Sequence, residues 1–117
     1  MSYVFVREEI TVAKKEMGSA SMLVLALLKE KEMYGYQIIE ELDKRSNHVF
    51  QMKEGTLYPV LHGLEKDKLI AAREAETVKG RVRRYYAVTE RGLRALEEKK
   101  QEWTAFSTAV TAILAGA

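Results

Sequence analysis

Hydrophobic positions recur along this chain with two different periods, and each predicts its own kind of element. In residues 4–17, VFVREEITVAKKEM, the residues Val6, Ile10, Ala13 and Met17 fall at i, i+4, i+7 and i+11, one stripe of an amphipathic helix. Gly18 interrupts it, and Ser19 or Ser21 can cap a second helix, SMLVLALLKEK, which is apolar nearly all round and is therefore expected at the centre of the core. EMYGYQ reads as a turn about Gly35. In YQIIEELDKRS, Ile38, Ile39 and Leu42 form the inner face of a third helix, with Asn47 as a left-handed cap beyond its end. A fourth helix lies in EGTLYPVLHGLEKDKLI, residues 54–70. The period then shortens: LIAAREAE (69–76) and RVRRYYAV (81–88) read as two strands joined by TVKG, with Lys79-Gly80 as the hairpin turn. Thr89 caps a last helix running from Glu90 to about Leu114.

The predicted order is four helices, a hairpin and a fifth helix, a mainly α fold with a small β-hairpin. No internal repeat or long linker divides it, and 117 residues suit one domain. Residues 1–17 form an N-terminal helix, 19–88 a helix-turn-helix with a ribbon, and 89–117 the terminal helix.

The fourth helix carries the chain's single proline. On a wheel of 100° per residue, Leu57, Val60, Leu61 and Leu64 gather on one side. The opposite side collects Gly55, Pro59, His62, Gly63 and Lys66, with Tyr58 at its shoulder. A merely solvated face would be rich in Glu, Lys and Gln; this one is small, rigid or aromatic and suits close approach to another surface. If Thr56 caps the helix, Pro59 lies in the first turn, where its missing N–H has no partner to lose. If the helix starts near Lys53, Pro59 removes one hydrogen bond. Either start leaves amides and a positive dipole end at residues 54–58, suited to a phosphate.

The net charge of +2 says little by itself. Its distribution says more, because KGRVRR places Lys79, Arg81, Arg83 and Arg84 at the hairpin tip with no acid among them. A solvated basic loop is the commoner meaning of such a run. Coming directly after a helix-turn-helix, however, it completes a winged-helix layout, in which the second helix enters the major groove and the ribbon lies along the backbone or in the minor groove. Double-stranded DNA is then the expected partner, with Lys53, Tyr58, Pro59, His62, Lys66, Lys79, Arg81, Arg83 and Arg84 as candidate contacts.

YGYQI, EGTLYPVLHGLEKDKLI and RRYYAVTERGLRAL together resemble the PadR family of bacterial winged-helix regulators, over about residues 19–96. The short C-terminus is similar to that of the members with a single C-terminal helix. The resemblance implies a dimeric transcriptional regulator, usually a repressor, on an inverted-repeat operator. It assigns Thr56, Tyr58 and Pro59 to the recognition helix, Tyr36 to the helix before it, and Arg83, Arg84 and Tyr86 to the wing, and so adds Tyr36 and Thr56 to the candidate DNA contacts. The chain departs from the family's habit at His62 and Gly63, where basic or polar residues are common, and at Lys68, where a glycine usually closes the helix.

In the last helix Leu96, Trp103 and Val110 are seven apart, with Phe106 and Ile113 between them, an a/d seam that predicts a dimer interface with the same helix of a second copy. Trp103 is the only tryptophan. Filling that interface is its commoner role; some multidrug-responsive regulators that the chain resembles stack planar aromatic ligands on an aromatic residue here, which makes a small planar aromatic effector the candidate ligand.

Other chemistry finds little footing. There is no cysteine, and His48 and His62 lack the spacing of a zinc helix. Phosphate loops and nucleophile elbows are absent, Glu40, Glu41, Glu97 and Glu98 sit on charged helix faces, and no enzyme or cofactor is expected. No apolar run reaches the length of a membrane span, and the N-terminus meets acids too early for a signal peptide, so the expected compartment is the cytoplasm. The runner-up function is a winged helix used for protein–protein contact without sequence-specific DNA binding, for which the mild net charge and the uncharged pair at 62–63 speak.

Overall fold

The computed structural model describes residues 19–116; the helix expected over residues 1–17 lies outside them. Residues 19–30 are helical (α1), followed by β1 Met33–Tyr34, α2 Gly35–Arg45, α3 Glu54–Lys66, β2 Ile70–Glu76, β3 Val82–Val88 and α4 Glu90–Ala115. The strands form an antiparallel sheet in the order β1-β3-β2. The expected ribbon thus has a third strand, because the stretch read as a plain turn around Gly35 pairs Met33 with Tyr86 and Tyr34 with Tyr85. Two residues are too few to show a period of two, which is why the pattern hid them.

The core is built as the periodicities predict. Val24, Leu25, Leu27 and Leu28 of α1, Ile38 and Leu42 of α2, and Leu57, Val60, Leu61 and Leu64 of α3 are buried together with Met33, Ile70 and Tyr86. One prediction needs correcting. Leu96, placed in the dimer seam by its heptad spacing, is 1% exposed and belongs to this chain's own core. The spacing of seven runs on unbroken, but the first two turns of α4 lie on the winged helix. Beyond Leu96 no described residue of α4 is buried, and the helix projects to give an envelope of 57 × 29 × 29 Å.

Both helices of the helix-turn-helix end in a left-handed corner, of two residues (Asn47 and His48) after α2 and of one (Lys68) after α3. After α2, His48 N–H donates to the Asp43 carbonyl (2.8 Å) and Asn47 N–H to that of Lys44 (3.3 Å), with Asn47 at φ 56° as expected. After α3, Leu69 N–H donates to Leu64 O (2.9 Å) and Lys68 N–H to Glu65 O (3.0 Å). Both are Schellman closures, and in the second a lysine sits at φ 61°, where a Cβ crowds the backbone.

The second corner is tied to α4. Thr89 N–H donates to the Leu69 carbonyl (3.0 Å). The Thr89 hydroxyl lies 2.8 Å from Lys68 O and 3.0 Å from Leu69 O, and it accepts the Gly92 amide at 3.0 Å, capping the helix as the sequence indicates. Gly92 packs so closely that a Cβ there would stand 2.0 Å from the Leu69 carbonyl oxygen and 2.7 Å from Val88. No side chain fits without parting α4 from the β2–β3 corner.

Two substitutions test this corner by urea denaturation. Gly92→Ala is expected to cost about 3 kcal/mol or more, as an overpacked site with backbone on one side. Lys68→Gly is expected to stabilise by about 0.5–1 kcal/mol, since relief of the left-handed strain outweighs the added freedom of the unfolded chain.

Candidate nucleic-acid interface

The outer face of α3 is open. Lys53 is the N-cap, without a side-chain hydrogen bond to the first turn, and the Thr56 and Leu57 amides donate to its carbonyl. Of the two starts the sequence allows, the chain takes the earlier. Thr56 is therefore inside the first turn, and Pro59 removes the N–H that would have been aimed at the Gly55 carbonyl. With Leu57, Val60, Leu61 and Leu64 buried beneath, Gly55, Thr56, Pro59, His62, Gly63 and Lys66 are all exposed. No described side chain lies within 4 Å of where a Cβ would stand at Gly55 or Gly63.

Tyr58 is half-exposed and leans back on the preceding helix. Its hydroxyl lies 3.0 Å from the position a Cβ would take on Gly35, so the missing side chain of Gly35 is what lets α3 and the start of α2 close up. At that start the Tyr34 amide donates to Gln37 Oε1 (3.1 Å), and Tyr36 is 57% exposed.

The wing tip is a three-residue loop, Val78-Lys79-Gly80, with Gly80 N–H donating to Thr77 O (2.9 Å) and Thr77 N–H to Arg81 O (2.7 Å). Gly80 takes the positive φ that the Lys79-Gly80 turn predicts. The arginines behind the tip divide into two kinds. Arg84 is held inside the chain: it donates to Glu65 on α3 at 2.7 Å, approaches Glu74 at 4.0 Å and lies 5.8 Å from the centre of the Tyr86 ring. The negative charge of Glu65 chiefly holds its guanidinium more basic than usual, and burial raises the Tyr86 phenol against the opposing pull of Arg84. Arg83 stacks over Tyr34 at 4.3 Å, which leaves its edge free to donate, and Lys79 and Arg81 are exposed at the tip. On the same face of the sheet as Arg83, Arg73, which no sequence pattern singles out, pairs across from Tyr85, is hydrogen-bonded to Glu32 and lies 5.2 Å from the Tyr85 ring. That bond holds the Glu32 carboxyl below its ordinary range.

Between α2, α3 and the wing these side chains enclose an open groove of about 580 Å³, which brings Tyr36, Tyr58, Arg81, Arg83 and Arg84 together with Glu40. Lys53 and Lys66 stand outside it, at the two ends of α3. The groove depends on β1 for its Tyr34 wall, so periodicity could not reveal it; a tyrosine beside Gly35 and an arginine run in the wing were the available signals.

The exposed part of α4 is a separate apolar surface. Trp103 is 47% and Ile113 74% exposed, and Phe106, Val110 and Leu114 lie with them. The rings of Trp103 and Phe106 have centroids 5.9 Å apart at 37°. Beside this stripe runs a shallow trough of about 590 Å³ over Ala105, Ala109 and Ala112. Among the described residues no group of acids and histidines could hold a metal ion, and no helix is long and apolar enough to cross a membrane.

This architecture has relatives. A protein of Lysinibacillus sphaericus is 41% identical over 86 residues, 74% of this chain and 79% of that protein. A transcriptional regulator of Mycobacterium tuberculosis is 40% identical over 72 residues, 62% of this chain and 64% of its own length. The crystal structure of a PadR family transcriptional regulator from Eggerthella lenta is similar with a TM-score of 0.73 at 30% identity, covering 97% of this chain and 96% of that one. Residues 24–98 match the model of the transcriptional regulator PadR-like family, and with the winged helix in place around them the chain belongs to that family.

Proposed function

We propose that this regulator is a repressor that binds an inverted-repeat operator as a homodimer, with α3 in the major groove and the wing against the flanking backbone. The observation that supports this most is the bare outer face of α3. Gly55, Thr56, Pro59, His62 and Gly63 are exposed, and no described residue stands over them, while Lys53 and Lys66 mark the helix ends where phosphates pass. Within the wing, Lys79, Arg81 and Arg83 are the phosphate-facing cations, and Arg84 serves as a brace that fixes the wing angle through Glu65. Phosphate contacts position a protein on DNA, and base-edge contacts select the sequence. Thr56, Tyr58 and His62 accordingly carry the preference, with Tyr36 on the backbone beside them. Pro59 and Gly63 allow the approach.

The homodimer is favoured by the apolar outer half of α4, which carries Trp103, Phe106, Val110 and Ile113 at seam spacing and finds no cover among the described residues of its own chain. Pairing these helices about a two-fold axis presents two copies of α3 to successive half-sites. In this assembly Trp103 is first an interface residue. Its tilted partnership with Phe106 also suits a flat aromatic effector that would slip into the seam and release the operator.

Arg81→Ala combined with Arg83→Ala is expected to weaken binding to operator and to unrelated duplex by a similar factor, about ten- to a hundredfold, and to lower the salt slope by about two. His62→Ala should instead change which sequences are recovered in a random-duplex selection; recovery of the parent's sequence would remove His62 from the reading set. For the seam, Trp103→Ala is expected to weaken dimerisation at least about tenfold in sedimentation equilibrium, as truncating a central aromatic anchor does. Planar aromatic compounds should quench Trp103 fluorescence and free the operator together, and quenching without release would dismiss the effector.

A further inference from the structure

We infer that Glu40 is an electrostatic counterweight in the groove between α2, α3 and the wing: it lowers affinity for every DNA duplex and so sets the salt range over which the protein holds DNA. The inference rests on the DNA-binding reading above. The groove's other walls are what a sugar-phosphate strand would select, with the tyrosine rings of Tyr36 and Tyr58 beside the guanidinium groups of Arg81 and Arg83. Glu40 lines the same groove, one helical turn after Tyr36 and on the same face of α2.

Of the acids among the described residues Glu40 is the one that lines the groove, and it is not held by an arginine as several others are. Glu65 and Glu74 face Arg84, Glu32 is held by Arg73, and Glu41, on the neighbouring flank of α2, accepts from Arg45 at 2.9 Å. Glu40 is exposed and has no such partner among the described residues. Nor does α2 need its charge. Glu40 is past the first turn of the helix, where an acid no longer gains from the macrodipole, and glutamine is nearly as good a helix former. What remains is a single negative charge facing the place where phosphates would lie. Repulsion of one such charge across a partly screened gap corresponds to about three- to tenfold in affinity at low salt, and it fades as the Debye length shrinks.

The test compares the full chain with its Glu40→Gln variant by fluorescence anisotropy. The probes are an inverted-repeat duplex selected from a random library and a scrambled duplex of equal length, measured at about 50 and 200 mM salt. Glu98→Gln, exposed on α4, makes the same change in net charge away from the groove. Expected is about three- to tenfold tighter binding of both duplexes by Glu40→Gln at the lower salt, a smaller gain at the higher, and little change for Glu98→Gln. Parent-like affinity of Glu40→Gln would overturn the inference. So would weaker binding to the selected duplex alone, which would make the carboxylate a reader of a base amino group. Equal tightening by Glu98→Gln would reduce the effect to net charge. A parent that binds neither duplex would refute the DNA-binding reading itself, a result distinct from all of these.

Discussion

The structure depends on one close approach, that of Gly92 to the Leu69 carbonyl. At this point the end of α3, the start of β2 and the first turn of α4 share hydrogen bonds through Thr89, and the absent side chain is the condition for all of them. Register fixes the rest: with Ile70 opposite Val88 and Ala72 opposite Tyr86, the sheet has no freedom to slide past this corner. The long helix and α3 are in effect one piece, so whatever orients α4 also orients the surface presented by α3.

Charge is organised around the same frame. Salt bridges on an exposed surface add little to stability, and those of Arg84 and Arg73 are better understood as positioning devices. One ties the wing to α3 and the other ties β2 to the loop after α1. Their effect is to sort the four arginines of the sheet and its wing tip into braces and free donors, a sorting that the chain's net charge of +2 entirely conceals.

How much of this was legible in the sequence depended on whether a signal repeats. The helices, the hairpin, the Asn47 corner and the bare face of α3 follow from periodicities and turn residues extending over several positions. The family resemblance carried by EGTLYPVLHGLEKDKLI and RRYYAVTERGLRAL added the roles expected of the parts, whose order the periodicities already predict. Strand β1 was missed because a two-residue pairing has no period of its own; its existence is decided by Tyr85 and Tyr86 far along the chain. Leu96 was misassigned for a related reason: a heptad spacing says which residues share a face but not what covers it, and the cover changes from the wing to open surface within α4. The sequence left two starts open for α3, and the earlier one prevailed even though Lys53 offers no side-chain cap, because two backbone amides find its carbonyl.

That earlier start has a consequence for the way this surface can be dissected. With Pro59 six positions into α3, the main-chain oxygen of Gly55 loses its regular helical donor, on a residue that has no side chain to shade it. The polar vocabulary of the exposed face therefore includes an acceptor belonging to the backbone. Alanine scanning would register it only at Pro59, where the substitution restores the missing donor and removes the free acceptor without altering any side-chain hydrogen-bonding group.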